Sequence, residues 1–383
     1  MRIAIDTLFE HPEAPSSAID YLKNLAEALP RIAPQHSFFL IVSSRNQHQF
    51  RDLLRPNLQM LNCHVSNEHI VLRIGIQQSL LPLRMRQHNI DVLFSTNVCP
   101  LIGNYCRVLK INTLHHYFTP GLLGWPRALY RRLAFRGSAQ KADWIIANTD
   151  ATRDQLCQLM QVSEKKISVI PEAIYDIFKP ALPQDTAIIL KRYGLKFGYI
   201  LFVSTLYPYK NPETLIKSFA HLIKNNGLDR ELVIIGRDQD GAQARLVALA
   251  ESEGVLSRTR FLGFVPTEDM PGLYQGARVM VFPSLMETFG KPLIEAMQCG
   301  VPVVASNCTP IPEVVGDAGV LVNPLDVQEM AAAIHRVVVD DVLWQELVHR
   351  GLQRGQQFSR ENGALDTLKA IEKAFQQWRA RQN

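Results

Sequence analysis

Short apolar runs alternate along this chain with stretches whose apolar residues recur every three or four positions. The first run, Ile3–Asp6, reads as a strand. Behind it, Ala18, Ile19, Leu22, Leu25, Ala26 and Leu29 fall at helical spacing, with Ser17 and Asp20 placed like an N-terminal capping box. Phe38–Val42, Val92–Ser95, Val108–Thr113, Trp144–Asn148 and Ile167–Ile170 read as further strands, with helical patterns between most of them. The rhythm restarts after residue 195. Tyr199–Ser204, Leu232–Gly236, Arg260–Phe264, Val279–Pro283, Val301–Ser306 and Val320–Val322 read as strands. Pro212–Lys224, Gly241–Glu253, Met270–Gly276 and Leu293–Cys299 read as the helices between them, and two polar-faced helices close the chain. Strand-then-helix repetition predicts an α/β fold of parallel sheets covered by helices on both faces.

Periodicity is lost around Phe178–Gln184, where Pro180 and Pro183 coincide, and this predicts a linker. The chain then divides into a first domain over 1–180, a second over 181–360 and a closing helix over 361–383. In open sheets of this kind ligands sit beyond the carboxyl ends of the strands. Candidate site residues are therefore those that directly follow a strand, and two such domains facing each other predict a cleft.

Composition narrows the class. With 383 residues, 47% hydrophobic and 20% charged, the chain is neither disordered nor fibrous. Its longest apolar runs are strand-sized, and it opens on a strand pattern in place of an export signal. Six cysteines without C-x-x-C spacing predict reduced thiols and a cytoplasmic setting, and no Cys/His run predicts a metal site. The net charge of +5 is lopsided. Residues 1–195 hold 22 Lys and Arg against 15 Asp and Glu, a net of +7, and the remainder hold 19 against 21. A basic half suits nucleic acid, an anionic membrane or an acidic substrate.

The most informative stretch runs from Phe282 to Val303. A strand ends at Pro283, a loop carries Glu287 and Gly290, Pro292 sits near the first helical position and Gly300 ends the helix. Glu295 is placed in the helix's first turn. Backbone N–H groups at such a helix start favour phosphate, and Gly290 permits close approach of the backbone. Carboxylates next to an anion site are poor phosphate ligands but good acceptors for sugar and ribose hydroxyls.

The Glu-x7-Glu spacing, within a Ser-x-x-Glu-x-Phe-Gly-x-Pro frame, resembles family 4 of the retaining glycosyltransferases. The resemblance implies the GT-B fold, two Rossmann-like doubly wound domains facing across a cleft. The first domain would bind the acceptor and the second the nucleotide sugar, with the last helix packing back on the first domain. It implies that Glu287 faces the donor sugar, Glu295 binds the ribose hydroxyls, and the backbone around Phe289, Gly290 and Lys291 holds the sugar or diphosphate.

Other segments match in order. Lys210, after the strand Tyr199–Ser204, matches a lysine that grips the diphosphate in the family. Thr205 and Tyr209 stand where the family places its arginine, so Arg237 or Lys291 is a candidate substitute. Phe264 and Val265 fall where the family's backbone meets the nucleotide base. His115 matches a histidine facing the donor sugar, and His116 replaces the usual Asp. Ser16-Ser17-Ala18 replaces a Gly-Gly pair near the acceptor. Thr149 reads as a helix cap, and Pro171-Glu172-Ala173 replaces a Pro-Asn-Gly and receives no site.

These matches predict hexosyl transfer from a nucleotide diphosphate sugar, GDP-mannose or a UDP-hexose, to a glycan or lipid-linked acceptor, with retention of configuration, no cofactor and no metal. Surface polysaccharide or lipopolysaccharide assembly is the implied setting. The alternative is an inactive sugar-nucleotide-binding partner subunit. A dinucleotide oxidoreductase is disfavoured because no G-x-G-x-x-G follows the first strand, and nucleic acid because the charge forms no recognisable module. The basic, aromatic-interleaved stretch Leu122–Arg136 predicts either a solvated helix face or peripheral contact with an anionic membrane.

Overall fold

The computed structural model describes residues 1–8, 17–64, 70–112, 114–118 and 125–382. The chain forms two compact units: residues 1–173 with 360–383, and residues 174–359. The crossing falls at 173/174, ahead of the proline-marked stretch. Ile174 and Phe178 supply the reason, since both are buried in the core of the second unit.

The first unit holds seven strands: β1 (Arg2–Asp6), β2 (Ser37–Val42), β3 (Leu58–Asn62), β4 (Val92–Thr96), β5 (Cys106–Lys110), β6 (Trp144–Ala147) and β7 (Ile167–Val169). They pair in parallel in the order β3-β2-β1-β4-β5-β6-β7. β4, β5 and β6 are buried along their whole length, as expected of a sheet covered on both faces. Alternation divides the faces. Ile3 and Ile5 pack with Leu22, Leu25 and Leu29 of the helix Ser17–Ile32 and with Leu368 and Ile371 of the helix Arg360–Gln382. Ala4 points the other way, onto Leu81 and Met85. The closing helix thus belongs to the first unit, where the Tyr21 hydroxyl and Thr367 Oγ1 lie 3.0 Å apart.

The second unit holds β8 (Tyr199–Val203), β9 (Leu232–Ile235), β10 (Thr259–Gly263), β11 (Ala277–Phe282), β12 (Val303–Ser306) and β13 (Gly319–Val322). These are parallel in the order β10-β9-β8-β11-β12-β13. Leu201, Met280 and Phe282 face the helices Met270–Gly276 and Lys291–Gln298, while Ile200, Phe202 and Val281 face Pro212–Asn226 and Val327–Val339. Strand order reverses between β8 and β11, so the loops after these two strands flank a topological switch point.

The sequence pattern misses β3. It is an edge strand whose side chains are largely half-buried, so its apolar signal is weak. The second unit's helix Lys291–Gln298 starts earlier than the periodicity suggests, because Gly290 (φ 99°) turns the chain straight into it. All six cysteines are free thiols. Among the described residues, no helix is long and apolar enough to cross a membrane.

Candidate active site

The β8 loop is built by short local constraints. Gly236, just after β9, lies so close to it that an added Cβ would sit 1.7 Å from the Ser204 carbonyl oxygen. The Leu206 amide donates to the Arg237 carbonyl (3.0 Å) and the Tyr207 amide to the Thr205 carbonyl (2.7 Å). A single 3-10 turn, Pro208–Lys210, follows. Asn211 then adopts a left-handed conformation (φ 57°) and starts the next helix, with Pro212 behind it.

Two crosslinks fasten this turn to the loop after β11. The buried Asn211 amide donates to the Pro283 carbonyl (3.2 Å) and the Pro324 carbonyl (2.7 Å). The Leu285 amide donates to the Tyr209 carbonyl (2.8 Å). They bring together two side chains 77 positions apart: Lys210 Nζ meets Glu287 Oε1 at 2.5 Å. Their side chains are only 13% and 6% exposed, so this is a nearly dry ion pair. The ammonium also lies 5.1 Å from the centroid of the Tyr209 ring and 5.7 Å from that of Phe282. Tyr207 stacks on Tyr209 at 5.3 Å. Burial, reinforced by the Glu287 charge, pushes the Tyr209 phenol well above its ordinary range.

The second carboxylate sits on the helix Lys291–Gln298. Since that helix begins at Lys291, Glu295 lies in its second turn and not its first. Its Oε2 accepts a 2.7 Å hydrogen bond from the hydroxyl of Tyr274, a fully buried residue. Gly290 stands at the start of the helix with no side-chain hydrogen bond; Pro292 has no N–H, and the Leu293 amide donates to the Gly290 carbonyl (3.0 Å). The Phe289 side chain is buried and packs edge-on against Phe358 at 5.8 Å, so only its backbone faces the loop. Val265 is likewise a core residue. Phe264 is 60% exposed beyond β10, and the Arg237 guanidinium lies 4.6 Å from its ring centroid. Arg237 therefore engages the β9–β10 side, whereas Lys210 sits at the β8–β11 side.

The structure thus brings Lys210 and Glu287 into contact, with Thr205, Gly290, Lys291 and Glu295 on adjoining elements of the same unit. His115 begins a short helix, His115–Phe118, in the first unit; its side chain, the loop over 9–16 and residue 113 lie outside the described residues. Among the described residues, no group of three or more His, Cys, Asp and Glu could hold a metal ion.

Sequence reasoning passed over Tyr274 and Asn211, since a tyrosine in an apolar helix and an asparagine before a proline carry no chemical signature of their own. It also passed over a buried polar bridge in the first unit. There Lys110, at the end of β5, donates to Asn148 Oδ1 (2.5 Å), and Asn148 Nδ2 donates to Glu172 Oε1 (3.0 Å). The Lys110 ammonium lies 4.4 Å from the Tyr21 ring centroid.

Residues 191–357 match the family described as "Glycosyl transferases group 1", and residues 20–175 match "Glycosyltransferase Family 4". The chain belongs to glycosyltransferase family 4. An Escherichia coli relative, O-antigen chain mannosyltransferase B, is 36% identical over 248 residues, 64% of each chain. The chain therefore spans slightly less than two thirds of that relative. Among solved structures, sucrose-phosphate synthase from Thermosynechococcus elongatus superposes with a TM-score of 0.78 at 20% identity, covering 98% of this chain and 99% of that one. Anabaena Alr3699/HepE in complex with UDP gives 0.74 at 19% identity, covering 97% and 99%. These likenesses establish the two-domain GT-B fold for this family 4 chain.

Proposed function

We propose that the chain transfers a hexosyl group from a nucleotide diphosphate sugar to a hydroxyl of a glycan or lipid-linked acceptor, with retention of anomeric configuration. The observation that carries this reading is the Lys210–Glu287 pair at the switch point of the second sheet, beside the N-terminus of the helix Lys291–Gln298. Leaving diphosphate gains negative charge in the transition state. An ammonium and the positive end of a helix fixed at that point stabilise it more than they stabilise the bound donor, and only such a difference accelerates the reaction. In this reading they do the work without a metal ion. Glu287 accepts from hydroxyls of the donor sugar and Glu295 from those of the ribose.

A mannosyl donor is favoured by the O-antigen mannosyltransferase relative, and surface polysaccharide assembly by the same likeness. GDP-mannose is therefore the first donor to test, with UDP-hexoses after it. The basic helix Trp125–Lys141 has no acidic residue and exposes Leu129 and Leu133 beside Arg136, which suits peripheral contact with an anionic membrane on the cytoplasmic side. The test is a donor screen by thermal shift and donor hydrolysis, with GDP-mannose, UDP-glucose, UDP-galactose and UDP-N-acetylhexosamines. At least one should raise the melting temperature and be consumed. A shift without consumption, acceptor present, would leave the inactive partner subunit, and no shift with any would refute donor binding.

A further inference from the structure

Tyr274 is a buried group in the second unit that the reaction as described does not use. Its helix, Met270–Gly276, is wedged in place. A Cβ added at Gly272 would sit 2.8 Å from Ile189, and one at Gly276 would sit 2.6 Å from Leu190 and 2.7 Å from the Tyr199 hydroxyl. The Tyr199 hydroxyl itself donates to the Leu273 carbonyl. The Tyr274 ring is then held edge-on by Phe178, with centroids 5.9 Å apart. With backbone and ring both fixed, the phenol has one place to point, and it points at Glu295 Oε2, 2.7 Å away. Burial, with Glu295 adding to it, keeps this phenol protonated far above neutral pH, so it remains a donor throughout the working range.

We propose that Tyr274 is a positioning residue for Glu295, fixing the carboxylate so that it discriminates a ribose from a deoxyribose in the nucleotide. This rests on the reading of Glu295 as the ribose ligand. A glutamate has three rotatable bonds, and a carboxylate free to swing accepts one hydroxyl about as well as another group or water. Held by a phenol on one oxygen, it presents its lone pairs in a single orientation. A hydrogen bond to a charged acceptor accounts for about a tenfold preference for the hydroxyl-bearing ligand.

The experiment is calorimetric binding to the full chain of GDP and UDP, then of the 2′-deoxy and 3′-deoxy forms of whichever binds more tightly. Wild type, Tyr274→Phe, Glu295→Gln and Phe178→Leu are compared, with melting curves for each. The wild type should prefer the ribose form by about tenfold over at least one deoxy form. Tyr274→Phe, which removes one oxygen and leaves the ring, should weaken ribose binding and leave deoxy binding unchanged, collapsing the preference. Phe178→Leu, which loosens the ring but keeps the phenol, should lower the melting temperature and reduce the preference only in part. Should Glu295→Gln abolish the preference while Tyr274→Phe retains it, the positioning role is overturned and Glu295 stands as the ribose ligand. A preference that is missing in wild type, or untouched in Glu295→Gln, overturns the Glu295 reading and the proposal with it. Equal weakening of ribose and deoxy ligands by Tyr274→Phe would show a merely structural tyrosine.

Discussion

The lysine best placed for a diphosphate is engaged by a carboxylate. Lys210 Nζ and Glu287 Oε1 are 2.5 Å apart and nearly dry, so an incoming diphosphate competes with Glu287 for the same ammonium. Replacing Glu287 by Gln keeps an acceptor of the same shape but removes the negative charge. A charge-assisted hydrogen bond is worth about 1.5–3 kcal/mol net, and relaxing much of it is worth about tenfold in affinity. Glu287→Gln should therefore bind GDP or UDP about tenfold more tightly than wild type, while its transfer rate falls because the sugar loses its carboxylate partner. Lys210→Ala should do the opposite to binding and should also destabilise the second unit, since it strands a buried carboxylate at a cost of about 3–5 kcal/mol. Combining the two substitutions should recover part of that loss. Calorimetry with the bare diphosphates, at two salt concentrations, measures the first effect, and urea unfolding the second. Binding by Glu287→Gln that is equal to or weaker than wild type would refute the competition.

Other expectations concern stability and surfaces. Lys110 is wholly buried, and Lys110→Ala leaves Asn148 and Glu172 without its charge, so a loss of about 3–5 kcal/mol should appear in urea unfolding of the first unit. Asp269 is held below the usual carboxylate range: burial acts to raise it, and the hydroxyl of Tyr193 (2.7 Å) and the guanidinium of Arg192 (2.6 Å) outweigh that. Its folded value lies below its unfolded one, so the stability it gives is complete above the ordinary carboxylate pKa and is lost as pH falls through the lower value. Asp269→Asn should flatten the acid limb of a melting-temperature profile, and an unchanged slope below pH 4 would contradict this. Burial pushes the Cys99 thiol up to about 12 and the Cys63 thiol to about 11, so neither should react with a thiol reagent at pH 8 until the chain unfolds. Replacing Leu129, Leu133, Arg131 and Arg136 together by Gln should weaken flotation with phosphatidylglycerol vesicles at least several-fold, and unchanged flotation would return this helix to an ordinary solvated face.

Most of the architecture was legible because parallel strands buried on both faces read as plain apolar runs, as β4 through β6 do. The edge strand β3 was not, since exposed Gln59 and half-buried Asn62 blur its pattern. The crossing between the units was misplaced because prolines mark where a chain cannot be regular, whereas burial of Ile174 and Phe178 decides which core it joins. In the site, Glu287, Gly290 and Glu295 stood out through spacing within one short segment. Lys210 was visible as a residue after a strand, but its contact with Glu287 depends on crosslinks by Asn211 and the Tyr209 carbonyl that no spacing reports. Tyr274 was invisible for a related reason: a phenol aimed into a core looks like any other apolar position until the opposite carboxylate is in place.

The central claim is that the Lys210–Glu287 site carries hexosyl transfer. Its most direct measurement is proton NMR of the reaction of purified chain with GDP-mannose and a mannose-terminated oligosaccharide, run beside Lys210→Ala after melting curves confirm that the variant is folded. The account predicts a new glycoside of the same anomeric configuration as the donor from wild type, and at least a hundredfold slower formation by the variant, about the loss of one transition-state donor. An inverted product, or product formed by Lys210→Ala at the wild-type rate, would contradict it.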